Sequence, residues 1–188
     1  MLFAVELIAA GLGLLYVWLA ARHNRLAWPA AFVSAGIYGY LLWLDHLPMQ
    51  AGLHLFYMLM AIIGWYRWQA TEQDTDASIT RMSWRDHAWI IIGGSLLIGT
   101  TQWLLTNSAL SQAPLLDSAT TIFSLLVTWL VVQQKLENWL YWIVIDAVSC
   151  WLFLKTAHWP LAALYALYTG IAIYGYVYWR RQLKNIGC

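Results

Sequence analysis

Hydrophobic positions along the chain gather into seven blocks separated by polar breaks. Their edges fall at 3–21, 27–44, 49–68, 87–107, 116–134, 138–155 and 160–179. Each is about 20 residues long, the length that crosses a hydrocarbon layer of roughly 30 Å as a helix. Apolar runs this long predict helices and not strands. Pro29, Pro48, Pro114 and Pro160 stand at or near block starts, where a missing N–H costs least. The breaks are short except for 69–86. That polar stretch is the one candidate linker, with room for a short surface helix.

Composition points the same way. The 188 residues are 62% hydrophobic and 10% charged, against roughly 25% charged in ordinary soluble domains. The fold class predicted is an all-α integral membrane protein with seven transmembrane helices. A formal net charge of +1 leaves no basic field for nucleic acid, so the expected surroundings are a lipid bilayer. Cys150 and Cys188 form neither a disulfide framework nor a metal spacing. No metal and no cofactor is expected. The first block lacks a basic lead and a small-residue cleavage site, so it reads as a retained helix.

Lys and Arg set the expected orientation. With the N-terminus outside, the inner side holds Arg22, Arg25, Arg67, Arg81, Arg85, Lys135, Arg180, Arg181 and Lys184, and the outer side holds Lys155. Seven spans then place the C-terminal tail, 180–188, in the cytoplasm.

The chain also repeats itself. At an ungapped offset of 111 residues, Glu6 meets Asp117, Trp18 meets Trp129 and Trp28 meets Trp139. Leu53 meets Leu164, Tyr57 meets Tyr168, Gly64 meets Gly175 and Trp68 meets Trp179. A first three-helix unit (1–68) and a second (116–179) are therefore predicted, joined through 69–86 and one connecting helix (87–107). The single connecting helix restores direction, so the triplets run parallel. Parallel repeats about an axis along the membrane normal are a transporter architecture, with the site between the repeats.

The two halves differ in polarity. Asp146 falls opposite Ala35, Thr121 opposite Ala10 and Thr128 opposite Val17. The second half is expected to supply most specific contacts. Asp146 lies near the middle of its block, where a charge is costly and marks a functional position; the plain alternative is a protonated Asp bonding a neighbouring helix. Trp139 and Trp142 stand seven and four residues before it, so two indoles and a carboxylate share one helix face. That face suits a cation with a flat ring. Thr121, Ser124 and Thr128 continue, from Asp117 and Thr120, a hydroxyl stripe that reads as a lined pathway or as helix packing. Asp117 and Glu6, at matched places near block starts, read as structural. The aromatic set adds Tyr168, Tyr165, Tyr38, Tyr57 and Trp65. His54 is a further candidate whose plain reading is packing. Trp68 and Trp179 read as interfacial anchors, and Gly64 and Gly175 as points of close helix approach. No phosphate-binding loop, zinc-protease or serine-hydrolase motif occurs, so no enzyme is expected. No Lys stands in the last block for a retinal Schiff base.

Leu116-Asp117-Ser118-Ala119-Thr120-Thr121, then Glu137-Asn138-Trp139 and Trp142, resemble the signature of the PnuC family of vitamin transporters. Gly64-Trp65-Tyr66-Arg67-Trp68 resembles that family's G-W-Y-x-W. The resemblance covers nearly the whole chain. It implies a SWEET-like 3+1+3 fold and adds Asn138 to the candidate substrate-binding residues. It implies facilitated diffusion of a B-vitamin across a bacterial inner membrane, with a cytoplasmic kinase trapping the substrate by phosphorylation. It also implies a homo-oligomer, a trimer in particular. Nicotinamide riboside carriers of the family tend to have Gln near Thr128 and Asn near Asp146. Those two departures favour the thiamine branch, PnuT, over nicotinamide riboside. A vitamin-binding sensor and a proton symporter are lesser readings.

Overall fold

The structure, a computed structural model, describes residues 2–46, 48–73, 79–106 and 115–186. Pro114, Cys188 and the side chain of Asp117 lie outside the described residues. Seven helices follow one another: α1 (Leu2–Ala21), α2 (Ala27–Leu44), α3 (Pro48–Gln73), α4 (Trp84–Thr106), α5 (Leu115–Val132), α6 (Asn138–Lys155) and α7 (Trp159–Ile186). No strand occurs among the described residues, and the class is all-α.

Helices α2 and α6 begin and end where the apolar pattern does. Helices α3 and α7 run on to Gln73 and Ile186, past the ends at 68 and 179. Apolarity reports the bilayer, whereas a helix continues through any residue without a stop signal. Neither Gln69–Gln73 nor Arg180–Ile186 contains Gly or Pro. By length and composition, three helices reach a membrane-crossing span among the described residues: Ala4–Ala21, Ala27–Leu44 and Trp159–Lys184.

Helices α1, α2, α5 and α6 stop in left-handed turns on residues other than glycine. His23, His46, Gln134 and Ala157 have φ of 54°, 58°, 57° and 58°, a conformation that costs roughly 1–2 kcal/mol without glycine. Schellman-type bonds hold them. After α1, His23 N–H donates to Ala20 O and Asn24 N–H to Leu19 O, both 2.9 Å; after α5, Gln134 N–H and Lys135 N–H donate to Val131 O and Leu130 O, both 3.0 Å. His23 and Gln134 are 111 apart, as are His46 and Ala157.

Packing follows the same offset. Helix α2 lies on α3 as α6 lies on α7, and α1 touches α7 as α5 touches α3. Helix α4 packs on α5. The buried core lies at the end of the bundle carrying the α1–α2 and α5–α6 turns, around Trp28, Trp68, Trp139 and Trp179. Trp68 and Trp179 are 2% and 0% exposed, which corrects their reading as interfacial anchors. Their indole N–H groups bond to other helices: Trp68 of α3 donates to Val131 O of α5 at 3.3 Å and Trp179 of α7 to Ala20 O of α1 at 3.1 Å.

The supposed linker is partly structured. Helices consume its two ends, and Ile79 is buried in the core. Thr80 forms one isolated parallel bridge with Lys135 in the α5–α6 turn: its N–H donates to Gln134 O (3.1 Å) and its C=O accepts from Leu136 N–H (2.9 Å). The Glu137 carboxylate accepts from Met82 N–H at 2.8 Å.

Candidate functional site

A cavity of about 420 Å³ opens between helices α1–α3 and α5–α7, within the roughly 300–1,000 Å³ of small-molecule sites. Its walls come from α1, α2, α3, α5, α6 and α7. Many wall positions pair at the offset of 111: Gly13 with Ser124, Val17 with Thr128, Trp28 with Trp139, Ala35 with Asp146, Tyr38 with Ser149, His54 with Tyr165 and Tyr57 with Tyr168.

Helix α6 brings Trp139, Trp142 and Asp146 to this wall together, as their three- and four-residue steps require. Ser149 follows one turn further on and also lines the cavity. Asp146 is 5% exposed. Among the described residues, no hydrogen bond or ion pair reaches its carboxylate. An acid placed this way attracts a cation that brings its own charge. On α2 the lining includes the small side chains of Ala31, Ser34 and Ala35 between Trp28 and Tyr38.

Helix α5 turns Thr120, Thr121, Ser124 and Thr128 towards the cavity. The Thr128 hydroxyl donates to Ser124 O at 2.7 Å, so its proton is committed within its own helix. Thr121 and Ser124 are half-buried.

The α3 and α7 walls are aromatic. Tyr57 and Tyr168 face the space from matched places, flanked by His54 and Tyr165. The His54 ring stands T-shaped to Tyr38 and Tyr57 at 5.6 and 6.0 Å, and its Nδ1 lies 3.3 Å from Gln50 O. Its place is therefore the end of the cavity near the start of α3. Trp65 is not among the cavity residues; it lies under the Arg25 guanidinium at 5.2 Å.

Asn138 departs from expectation. It is fully buried and does not line the cavity. Its amide donates to Lys135 O at 2.6 Å, which closes the α5–α6 turn. The other candidates, Asp146, Trp139, Trp142, Thr121, Ser124, Thr128, Tyr168, His54 and Tyr57, all reach the cavity. Sequence reasoning missed Tyr16, Ser34 and Ser149 as wall residues. Ser149 carried a signal, the three-residue step from Asp146. Tyr16 and Ser34 carried none on otherwise apolar helices.

Comparison with known proteins adds to this geometry. The family model described as nicotinamide mononucleotide transporter matches residues 4–181. The nicotinamide riboside transporter PnuC of Neisseria mucosa is 22% identical over 192 residues, covering 95% of this chain and 72% of the relative. The riboflavin/roseoflavin transporter RibM of Streptomyces davaonensis is 24% identical over 180 residues, covering 93% and 83%. The crystal structure of the vitamin B3 transporter PnuC superposes with a TM-score of 0.77 at 20% identity, covering 96% of this chain and 82% of that one.

Proposed function

Because the chain belongs to the nicotinamide mononucleotide transporter family, and so is a multi-pass vitamin transporter of the PnuC type and not an enzyme, we propose that it carries a cationic, flat-ring vitamin by facilitated diffusion, with nicotinamide riboside as the substrate. One observation carries this reading: the Asp146 carboxylate, which no hydrogen bond or ion pair reaches among the described residues, lines a cavity together with Trp139 and Trp142. The substrate cation pairs with Asp146, and its ring stacks on an indole. Thr121 and Ser124 offer hydroxyls to its polar edge.

Nicotinamide riboside takes precedence over thiamine because named PnuC relatives transport it, which reverses the order expected from Thr128 and Asp146. Thiamine stands as the second reading, since it too is a cation with a flat ring and the Asp146 carboxylate suits either. Riboflavin, the substrate in the name of one relative, is neutral and gives the carboxylate no charge to meet.

Transport follows alternating access, with the triplets of 1–68 and 116–179 rocking about the cavity as repeats do in secondary carriers. The Lys and Arg distribution supports an orientation with the N-terminus outside, and the family resemblance supports a bacterial inner membrane. The family resemblance supports a homo-oligomer and trapping by a cytoplasmic kinase. Uptake of labelled nicotinamide riboside into proteoliposomes, with thiamine and riboflavin as competitors, tests the substrate. Preferred uptake of thiamine reverses the assignment. Flux that collapses with the pH gradient replaces facilitated diffusion by proton symport through Asp146.

A further inference from the structure

Resting on the alternating-access reading above, we propose that the four tryptophans, His23 and Gln134 at one end of the bundle form the carrier's gate, closed in this structure. The cavity wall at that end is Trp28 and Trp139. Behind it stand Trp68 and Trp179, each T-shaped to the wall indole of its own triplet: Trp28 to Trp68 at 5.2 Å and 88°, Trp139 to Trp179 at 5.5 Å and 87°. The two inner indoles meet each other at 5.9 Å. The His23 ring caps both, 4.8 Å from Trp68 and 5.1 Å from Trp179, and its Nε2 lies 3.4 Å from Gln134 Oε1. Three layers thus close the path.

The bonds of this plug join one triplet to the other. Trp68 of the first triplet donates to Val131 of the second, Trp179 of the second donates to Ala20 of the first, and His23 meets Gln134 across the same axis. Rocking the triplets apart at this end breaks all three contacts together. A contact set with that property is a two-state element and not merely a packed core. At its opposite end the cavity extends along His54, Tyr165 and Phe153.

Reversible cross-linking tests the gate. In a Cys150→Ser, Cys188→Ser background, His23→Cys and Gln134→Cys place two thiols across the axis for a short bis-methanethiosulfonate bridge. Uptake of nicotinamide riboside and of thiamine is followed before bridging, after it, and after dithiothreitol. Bridging is expected to reduce flux of the carried vitamin at least tenfold, to leave its binding within twofold by tryptophan quenching, and to be reversed by the reductant. Unchanged flux in the bridged protein overturns the gate, and so does a folded protein that does not bridge. Thiamine carried in place of nicotinamide riboside, with the same sensitivity to bridging, counts against the substrate assignment alone. A second pair of variants covers misfolding of the first. A Val131→Cys thiol sits behind the plug, and an impermeant maleimide is applied to the plugged face. Trp68→Phe with Trp179→Phe, which removes the crossing N–H donors, is expected to speed its labelling at least fivefold. Equal labelling rates contradict the proposal.

Discussion

Gly175 lies so close to Trp139 that a Cβ there would meet ring atoms Cδ2 and Cε2 at 2.8 Å. Gly64 stands in the same relation to the ring of Trp28, and the two pairs are related by the offset of 111 residues. Helix α7 approaches α6, and α3 approaches α2, only because these positions lack a side chain. Gly175→Ala forces the indole or the helix to shift, an overpacking cost of about 1–3 kcal/mol. A lowered melting temperature of the purified protein is expected, together with weaker vitamin binding because Trp139 lines the cavity. A melting temperature equal to wild type would mean that the wall yields without strain.

Trp142 lines the cavity one turn from Asp146 and is only half-buried. If it stacks on the substrate cation, Trp142→Ala removes roughly 0.5–2 kcal/mol, about a twofold to thirtyfold rise in Kd. Trp142→Phe retains part of the affinity because it keeps a smaller aromatic face. Calorimetry checks the order wild type, Phe, Ala. Equal Kd values for all three would remove Trp142 from the substrate's surroundings.

Glu137 belongs to the family-like signature, yet its carboxylate accepts from Met82 N–H and does not line the cavity. Its part is to fasten the 79–82 segment onto the α5–α6 turn. Glu137→Ala removes a hydrogen bond to a charged group, about 1.5–3 kcal/mol, from a half-buried site. Faster hydrogen exchange at Thr80 and Leu136 is expected, with substrate binding kept. Lost binding with both amides still protected would instead place Glu137 in the transport path.

The apolar blocks of the sequence correspond to the helices, because a bilayer demands a long apolar run for each crossing. The same pattern misplaced the ends of α3 and α7, since Gln69 or Arg180 continues a helix while leaving the lipid. Asp146 was legible because a lone acid in an apolar block has few other uses, and the helical period tied Trp139 and Trp142 to it. Trp68 and Trp179 were misread because a tryptophan near a block end looks alike whether it meets headgroups or a neighbouring helix. The matched offset was the signal that set them apart. Asn138 shows the reverse error: a polar residue beside the cavity tryptophans turned out to close a backbone turn. Thr80 on the α5–α6 turn had no sequence signal, as a single strand bridge leaves no periodicity.

The Asp146 carboxylate is proposed to hold the substrate cation, and binding to purified wild-type and Asp146→Asn protein tests this claim. Nicotinamide riboside, thiamine and riboflavin are titrated side by side by tryptophan quenching. Asn keeps the size and a carbonyl acceptor and removes only the charge. The expected result is at least a tenfold rise in Kd for the bound cation, about 1.4 kcal/mol, with no comparable change for neutral riboflavin. Cation affinity left unchanged by Asp146→Asn would contradict the claim and return Asp146 to a protonated packing role.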